Sequence, residues 1–472
     1  MIRNRAEAMS CGGCHQNSND TEIAPNVNWP KSRFFVHVDE QGTLSPALIE
    51  QFLPARAALL KDYLQKTTGT TVEKWRFAEV DYSSARNDFG FHNASSNFNV
   101  QAFAALKADG SITAWGNSNS GGTGAPTGSG YIKIYSIRYT FAALKADGSI
   151  KAWGDSTWQG AHAPTDGGYI KIYSTGYAFA ALKADGSITA WGKPDSGGTG
   201  APTGSGYTKI YSNRYAFAAV KADGSITAWG SKNYGGTGAP TDGGYIKIYS
   251  AGFAFAALKA DGSITAWGRL SSYAPITSYA PTDNGYTKIY STENAFAALK
   301  ADGSITAWGG GGGTGAPTDG GYIKIYSTGY AFAALKADGS ITAWGYSDYG
   351  GTNAPTDNGY TKIYSTGYAF AALKADGSIT AWGYSAYGGT DAPTGSGYTK
   401  IYSNKYAFAA VKADGSITAW GSKNYGGTGA PTDGGYIKIY STLSAFVAVK
   451  ADGSIKAWGD PSYGGTTPTV TD

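Results

Sequence analysis

The chain has 472 residues, a formal net charge of only +4 and 15% charged residues. It contains no Lys/Arg cluster, which disfavours nucleic-acid binding. No apolar run approaches the roughly 20 residues that a membrane-spanning helix needs. Only two cysteines are present, which excludes a disulfide framework. The 69 glycines, 17 prolines and 35 tyrosines instead suit many short strands joined by tight turns.

The N-terminal part contains the sequence CGGCH at residues 11–15, which is the CxxCH pattern of covalent haem c attachment. In that chemistry the two thiols bind the haem vinyl groups and the histidine ligates the iron. Cys11, Cys14 and His15 are therefore the candidate haem-binding residues, with His15 as a metal ligand and His37 as the candidate ligand on the opposite side. Half of a zinc site and an unoccupied relic stay open as alternatives.

Residues 1–66 resemble the tail of bacterial c-type cytochrome-like modules, and a helix is predicted to open at Ser45 and Pro46. The basic start of the chain is not followed by the apolar segment of a signal peptide. Haem attachment of this kind nevertheless takes place outside the cytoplasm. We therefore expect a periplasmic or extracellular protein, and expect this chain to be the C-terminal part of a longer secreted protein or the product of a late start. Residues 67–88 are predicted to be a linker.

Residues 89–472 contain ten near-identical copies of the phrase AFAALKADGSITAWG. The Trp-Gly pairs recur at intervals of 36 to 41 residues, most often 38, from Trp115 to Trp458. A fixed period of this length is typical of repeat architectures, in which each copy is one structural unit and neighbouring units share a core.

Each copy is predicted to be a three-stranded antiparallel meander. In the copy that starts at Tyr322, residues 322–327 alternate apolar and polar side chains, and residues 331–336 and 340–344 supply two further strands. Asp338 and Gly339 predict a two-residue type I′ hairpin in which both residues have a positive φ. Both faces of the meander carry compact side chains, so that neighbouring sheets can stack as blades do.

The phrase FAALKADGSITAWG, followed by GG and AP, resembles the regulator-of-chromosome-condensation repeat. Its short period is similar to that of short-repeat bacterial relatives such as the propeller-type β-lactamase-inhibitory protein. The resemblance implies a β-propeller whose loops bind other molecules, often proteins. The predicted fold class is all-β: a propeller-like array of ten three-stranded antiparallel blades, with a small, mainly helical N-terminal segment. Ten copies exceed the seven blades familiar in this family, which leaves a ten-bladed ring, seven blades plus three, or an open stack.

Two stretches differ between the copies: the turn before the second strand, and the connection after each Trp-Gly pair. Tyrosine and tryptophan among serine, glycine and asparagine make an adaptable recognition surface, although neutral drift on exposed loops would also produce variation. The candidate ligand-binding residues in these stretches are Arg138, Trp158, Arg214, Tyr234, Tyr346, Tyr349, Tyr384, Tyr387, Lys405 and Tyr425.

The sequence contains no recognisable catalytic constellation. It has four histidines, with none beyond His162, and neither a GxSxG motif nor a nucleotide-binding loop. We predict a non-enzymatic binding or adhesion protein of the bacterial envelope, or a secreted one, that binds a protein or a surface glycan. Two alternatives stay open: a haem c redox protein whose array docks a partner, and a carbohydrate-binding module.

Overall fold

The computed structural model describes residues 22–24, 27–28, 75–77, 99–157, 160–269 and 280–467. The chain divides into two units, Met1–Val72 and Glu73–Asp472. In the first unit the described residues form a two-stranded antiparallel sheet of β1 (Glu22–Ala24) and β2 (Val27–Asn28). The helix predicted from Ser45 lies outside the described residues. Within the described ranges, no helix has the length and apolar character needed to cross a membrane.

The second unit consists of ten three-stranded antiparallel sheets, one for each copy of the phrase, which confirms the predicted blade. In every blade the middle strand pairs with the other two. Blades 1 to 3 are β3 (Trp75–Phe77), β4 (Ala102–Lys107) and β5 (Ile112–Gly116); β6 (Tyr131–Ile137), β7 (Thr140–Lys145) and β8 (Ile150–Gly154); β9 (Tyr169–Ser174), β10 (Ala178–Lys183) and β11 (Ile188–Gly192). Blades 4 to 6 are β12 (Tyr207–Ser212), β13 (Ala216–Lys221) and β14 (Ile226–Gly230); β15 (Tyr245–Ser250), β16 (Ala254–Lys259) and β17 (Ile264–Gly268); β18 (Tyr286–Ser291), β19 (Ala295–Lys300) and β20 (Ile305–Gly309). Blades 7 and 8 are β21 (Tyr322–Ser327), β22 (Ala331–Lys336) and β23 (Ile341–Gly345); β24 (Tyr360–Ser365), β25 (Ala369–Lys374) and β26 (Ile379–Gly383). Blades 9 and 10 are β27 (Tyr398–Ser403), β28 (Ala407–Lys412) and β29 (Ile417–Gly421); β30 (Tyr436–Ser441), β31 (Ala445–Lys450) and β32 (Ile455–Gly459).

The hairpin between the second and third strands differs from the predicted type I′ turn. In blade 7 the Lys336 N–H donates to the C=O of Ser340, and the Gly339 N–H donates to the C=O of Lys336, both at 3.0 Å. Gly339 has a φ of 83°, but Asp338 is not among the residues with a positive φ. This is the bonding pattern of a three-residue loop that ends in a left-handed glycine. The prediction of two positive φ values is wrong because the Asp338 carboxylate holds the turn instead, accepting hydrogen bonds from the N–H and Oγ–H of Ser340 at 2.9 and 2.7 Å.

The Asp-Gly turns predict how the stability of the protein depends on pH. The hydrogen bond from the serine N–H lowers the pKa of the aspartate below its usual 3.8 in all ten turns. A carboxyl group whose pKa is depressed in the folded state stabilises that state above the unfolded pKa, and the stability is lost as the pH falls through the folded pKa. We expect the urea midpoint to stay constant between pH 7 and 5 and to fall below about pH 4. If most of the stability were lost between pH 7 and 5 instead, the aspartates of these turns would not be its cause.

The hydrophobic core lies between the blades rather than within them. Each cluster of buried side chains is shared by two neighbouring blades. Between blades 7 and 8, for example, Ala333 and Leu335 pack against Ile363, Phe370 and Trp382. The small residues on one face of a blade therefore receive the large aromatic residues on the facing side of the next.

A further cluster joins the last blade to the first. Phe103 and Ala105 of blade 1 pack with Ala445, Val447 and Val449 of blade 10. Each blade thus has two neighbours, and the array closes into a ten-bladed ring. This result decides between the three arrangements that the repeat count left open.

Blade 1 begins earlier than the repeat pattern indicates. β3 pairs with β4 through Trp75 opposite Lys107 and Phe77 opposite Ala105, yet it lies in the range 67–88 that is predicted from the sequence to be a linker. Residues 75–77 are Trp-Arg-Phe and do not share the phrase of the other first strands. Repeat periodicity therefore carries no signal for this strand.

The tryptophan of each Trp-Gly pair is a packing residue, as predicted. Each one lies beside the phenylalanine of its own blade, with ring centroids 4.9 to 5.4 Å apart. In blade 7 the Nε1–H of Trp344 also donates to the C=O of Gly312, in the preceding connection, at 3.0 Å. The tryptophan therefore fixes one blade to the connection that leads into it.

Trp344→Phe is expected to destabilise the protein by about 1 kcal/mol more than Trp308→Phe. Both indoles are buried, but the Nε1–H of Trp308 has no hydrogen-bond partner among the described residues. The connection before Trp308 is three residues longer than the usual fourteen. Both variants lose the same ring area, so the difference reports the bond to Gly312 together with the cost of the unpaired N–H that Trp308→Phe removes, and urea unfolding of the two variants measures it. Equal losses would contradict a stabilising contribution from the bond to Gly312.

Candidate functional site

The two variable stretches of each blade lie next to each other in the structure. In blade 7 the Oγ1 of Thr328 accepts a hydrogen bond from the Ala331 N–H at 3.0 Å and donates to the C=O of Tyr349 at 3.1 Å. In blade 9 the Asn404 side chain donates to the C=O of Tyr425 at 2.6 Å. One side chain at the start of the turn therefore fixes the turn and the segment after Trp-Gly together.

The segment after Trp-Gly is itself ordered. In seven of the connections that the structure describes, it contains a three-residue 3-10 helix followed by a left-handed glycine. These helices are Ser118–Ser120, Pro194–Ser196, Lys232–Tyr234, Ser347–Tyr349, Ser385–Tyr387, Lys423–Tyr425 and Pro461–Tyr463. The tyrosines at their ends are therefore held by backbone geometry.

A belt of backbone hydrogen bonds aligns the turns of successive blades on one side of the ring. Nine bonds of 2.8 to 3.3 Å run from the N–H of one turn to the C=O of the next, from Val100 to Leu443. Val100 also packs against Leu443 where the ring closes. The variable side chains of different blades consequently share one surface.

Blades 7 to 9 carry a connected group of tyrosines on this surface, here called the tyrosine cluster. Neighbouring ring centroids lie 4.7 to 6.3 Å apart. Tyr346 and Tyr384 are 53% and 40% exposed, and the other members are half-buried. The tyrosine cluster consists of Tyr330, Tyr346, Tyr349, Tyr368, Tyr384, Tyr387, Tyr406 and Tyr425.

Two features of neighbouring residues shape the cluster. Gly311, in the glycine run of the preceding connection, has no side chain, and a Cβ there would collide with the ring of Tyr346. At the other side the Nζ of Lys405 lies 5.6 and 5.5 Å from the ring centroids of Tyr368 and Tyr406, within the range of a cation–π contact. The cluster thus has a glycine-lined edge and a cationic edge.

Burial raises the pKa of Tyr330, and the nearby carboxylate of Glu293 raises it further. The pKa shift has the same sign from both causes, because each disfavours a phenolate. The Tyr330 hydroxyl is therefore a neutral hydrogen-bonding group at physiological pH.

Blades 2 to 5 carry a second group, here called the arginine–aromatic cluster. Arg138 donates through Nη1 to the hydroxyl of Tyr177 at 2.8 Å. The guanidinium of Arg214 lies 5.7 Å from the ring centroid of Phe253 and 3.4 Å from the carboxylate of Glu293. The cluster consists of Arg138, Tyr177, Arg214, Tyr215, Tyr234 and Phe253.

The structure places most of the candidate ligand-binding residues in these two clusters. Those that belong to or touch the tyrosine cluster are Tyr346, Tyr349, Tyr384, Tyr387, Tyr425 and Lys405. Those in the arginine–aromatic cluster are Arg138, Arg214 and Tyr234. Trp158 lies outside the described residues. Cys11, Cys14, His15 and His37 also lie outside them, so haem c binding stays a prediction from the sequence.

Sequence reasoning missed three members of the tyrosine cluster, Tyr330, Tyr368 and Tyr406, as binding candidates. Each is the third residue of its turn. Two of them belong to the repeated Thr-Gly-Tyr turn, whose recurrence in several copies indicates a structural role rather than a binding role. The available signal was chemical: an aromatic residue recurs at an otherwise small and polar turn, where packing within a blade does not require one.

The arrangement is suited to noncovalent recognition. In residues 99–157, 160–269 and 280–467, no group of three or more His, Cys, Asp or Glu side chains could hold a metal ion. The two clusters instead offer aromatic ring edges, hydroxyl groups and a few cations on one side of a ring.

No family model matches the chain, and no curated protein matches it. Among solved structures, the ectodomain of the receptor kinase CR4 from Physcomitrella patens is 17% identical, covering 58% of this chain and 74% of its own, with a TM-score of 0.35. Prp20p from Saccharomyces cerevisiae, which is yeast RCC1, is 14% identical over 58% of this chain and 86% of its own, with a TM-score of 0.33. BamB from Moraxella catarrhalis is 16% identical over 61% of this chain and 94% of its own, with a TM-score of 0.28. The architecture of this chain is established by its own ten sheets and the clusters between them.

Proposed function

We propose that this chain is a non-enzymatic binding or adhesion protein of the bacterial envelope, or a secreted one, and that the tyrosine cluster binds a protein partner. The observation that carries the proposal is the contact of eight tyrosines from three blades on one side of a closed ring. Tyrosine is enriched in protein interfaces because its ring supplies apolar area and its hydroxyl supplies a hydrogen bond at low entropic cost.

The rigidity of the support favours tight recognition. The backbone belt fixes the turns of neighbouring blades, and Thr328 and its equivalents tie each turn to its 3-10 helix. A surface that is ordered before binding loses little conformational freedom on association. The rings therefore meet a partner in positions that they already occupy.

The mutual arrangement of the rings favours a protein over a glycan. Most neighbouring rings are tilted, as Tyr368 and Tyr387 are at 41° and Tyr387 and Tyr406 are at 56°. Rings 4.7 to 5.5 Å apart cover part of one another's faces. The tyrosine cluster therefore offers a partner mainly ring edges and hydroxyl groups rather than open ring faces. Such a surface suits contact with protein side chains better than flat stacking of sugar rings.

The test replaces Tyr346, Tyr349, Tyr384 and Tyr387 with serine in one variant. Peptides selected from a displayed library on the wild-type chain are expected to bind the variant at least a hundredfold more weakly, because the loss of only two tyrosine hot spots, at about 2 kcal/mol each, already exceeds the roughly 2.8 kcal/mol of a hundredfold change. Surface plasmon resonance with the selected peptides measures the change.

The matched control changes four exposed residues at the opposite end of the first strands: Ile132, Ile170, Ile246 and Ile323 to threonine. Threonine occupies the same position in natural copies, as Thr208 shows, so this control should fold and bind the peptides normally. Undiminished binding by the serine variant would refute the assigned surface. A glycan array in which binding depends on the same four tyrosines would instead assign the cluster to carbohydrate recognition.

A further inference from the structure

Six members of the tyrosine cluster form an unbroken row through three blades. In each blade the tyrosine of the turn contacts the tyrosine at the end of the 3-10 helix, and that second ring contacts the turn tyrosine of the next blade. Successive ring centroids lie 4.9, 5.5, 5.1, 5.0 and 4.7 Å apart, a separation typical of aromatic rings in contact. In order, the residues are Tyr330, Tyr349, Tyr368, Tyr387, Tyr406 and Tyr425, here called the tyrosine row.

The flanking blades differ in sequence where the row ends. In blade 6, Asn294 and Gly311 stand at the positions of the turn tyrosine and the helix tyrosine. In blade 10, Ser444 takes the place of the turn tyrosine, although Tyr463 still ends the 3-10 helix. The next turn, in blade 1, has Gln101 at that position. The tyrosine row is therefore confined to blades 7 to 9, and Tyr463 has the same place in its blade without tyrosines in the adjoining turns.

The row is in contact with two tyrosines that solvent reaches. Tyr384 is 40% exposed, and its ring centroid lies 5.0 Å from that of Tyr387. Tyr346 is 53% exposed and lies 6.3 Å from Tyr349. An oxidant in solution therefore meets a tyrosine that adjoins the row. A radical formed there passes to a neighbouring tyrosine at little cost in free energy, because donor and acceptor are the same phenol.

We propose that the tyrosine cluster is a site of oxidative cross-linking, where a one-electron oxidant of the haem peroxidase class joins neighbouring rings as dityrosine. Each of two tyrosines gives one electron to the oxidant and its hydroxyl proton to water. The two phenoxyl radicals form one carbon–carbon bond between the ring positions next to their hydroxyl groups, and the hydrogens on those two carbons move to the oxygens. Hydrogen peroxide, the final acceptor, takes up the two electrons and two protons and becomes two molecules of water.

The geometry of the cluster favours bonds within one chain over bonds between chains. Rings that are held in contact couple without a diffusional encounter, which turns a bimolecular step into a unimolecular one. The backbone holds the rings in place, since the Oγ1 of Thr366 donates to the C=O of Tyr387 at 3.2 Å. The planes of Tyr387 and Tyr406 are tilted by 56°, and a tilt brings the edge of one ring, where the coupling carbons lie, towards its neighbour. A bond between these two residues joins blades 8 and 9 covalently.

The test treats the full chain with a haem peroxidase and hydrogen peroxide, at a dilution that keeps encounters between chains rare. We expect dityrosine fluorescence in the monomer fraction, and peptides that have lost two hydrogen atoms for each bond. The tryptic peptide 375–400 occurs once in the chain and contains Tyr384 and Tyr387. Mass spectrometry should find it with an internal bond, or bonded to the peptide that begins at Tyr406.

The matched variants are Tyr387→Phe and Tyr463→Phe, both of which keep the ring and remove only the hydroxyl. Each of the two tyrosines ends a 3-10 helix and has its C=O bound by the threonine that begins the turn, Thr366 or Thr442. Y387F is expected to lose the bonds to peptide 375–400 that join blades 8 and 9. Y463F should retain the wild-type yield of dityrosine, because the adjoining turns have no tyrosine to couple with.

Mapping of the unaltered protein tests the proposal even if a variant folds poorly. The first-strand residues Tyr169 and Tyr322 are buried and donate their hydroxyls to an aspartate and a threonine, so they should stay unmodified. Three results would overturn the proposal. They are a monomer without dityrosine under conditions that consume N-acetyltyrosine amide, bonds found only between separate chains, and an equal loss of dityrosine in Y387F and Y463F.

Discussion

Gly350→Ala is expected to destabilise the ring by about 3 kcal/mol. Gly350 has a φ of 94°, a conformation that costs an L-residue about 1 to 2 kcal/mol. A Cβ at this position would also lie 2.6 Å from Cδ2 of Phe370. Phe370 is fully buried between blades 7 and 8, so its ring cannot withdraw without disturbing the shared core. Overpacking of this kind adds about 1 to 3 kcal/mol.

Gly359→Ala separates the two contributions. Gly359 lies in the same connection with a φ of 84°, but an added Cβ there meets no atom within 4 Å. Its replacement should therefore cost only the backbone contribution of about 1 to 2 kcal/mol. Urea unfolding of both variants gives the comparison. If the two losses were equal, the contact between the connection and Phe370 would not contribute to the stability of the ring.

The blade itself could be predicted from sequence because its determinants are local. Alternation of side chains in 322–327, the Asp338-Gly339 turn and the Trp344-Gly345 end mark three strands, and the structure has them as β21, β22 and β23. The prediction of a type I′ turn was wrong for an equally local reason. The carboxylate of Asp338 stabilises the turn by accepting a hydrogen bond from Ser340. The Asp-Gly rule considers two residues only, although the loop here has three.

Ring closure could not be predicted, because it depends on the angle between successive blades. Nearly identical blades make nearly identical angles, and ten of them complete the circle only if each angle is about a tenth of a turn. That angle is set by how Ala333 and Leu335 receive Phe370, a packing detail without a sequence pattern. β3 was missed because Trp75–Phe77 completes blade 1 without carrying the repeated phrase.

The candidate site was only partly visible in the sequence for a related reason. Variation between copies pointed to Tyr346 and Tyr384, but Tyr330 and Tyr368 sit in turns that hardly vary. Their contact with the variable residues depends on Thr328, which joins the turn to the 3-10 helix, and on the belt that brings blades together. Proximity across blades is a property of the closed ring, so single copies do not reveal it.

Phe103→Ala is expected to destabilise the protein as much as Phe370→Ala does, by about 3 to 5 kcal/mol. The two phenylalanines occupy equivalent places. Phe370 is fully buried between blades 7 and 8, against Gly350, while Phe103 is 6% exposed between blades 10 and 1, against Gly464. Each lies beside the tryptophan of its own blade, at 5.4 Å for Phe103 and 5.0 Å for Phe370.

Comparing these two variants tests the interface between blades 10 and 1 separately from the other interfaces of the ring. In an open stack the first blade would present Phe103 to solvent on the side that now faces blade 10, and its loss would cost well below the value for Phe370. Urea unfolding of the two variants, at equal protein concentration and with the same slope, measures the difference. Equal losses require that Phe103 be as well covered in solution as Phe370, and among the described residues it is blade 10 that covers Phe103, through Val447 and the segment at Gly464.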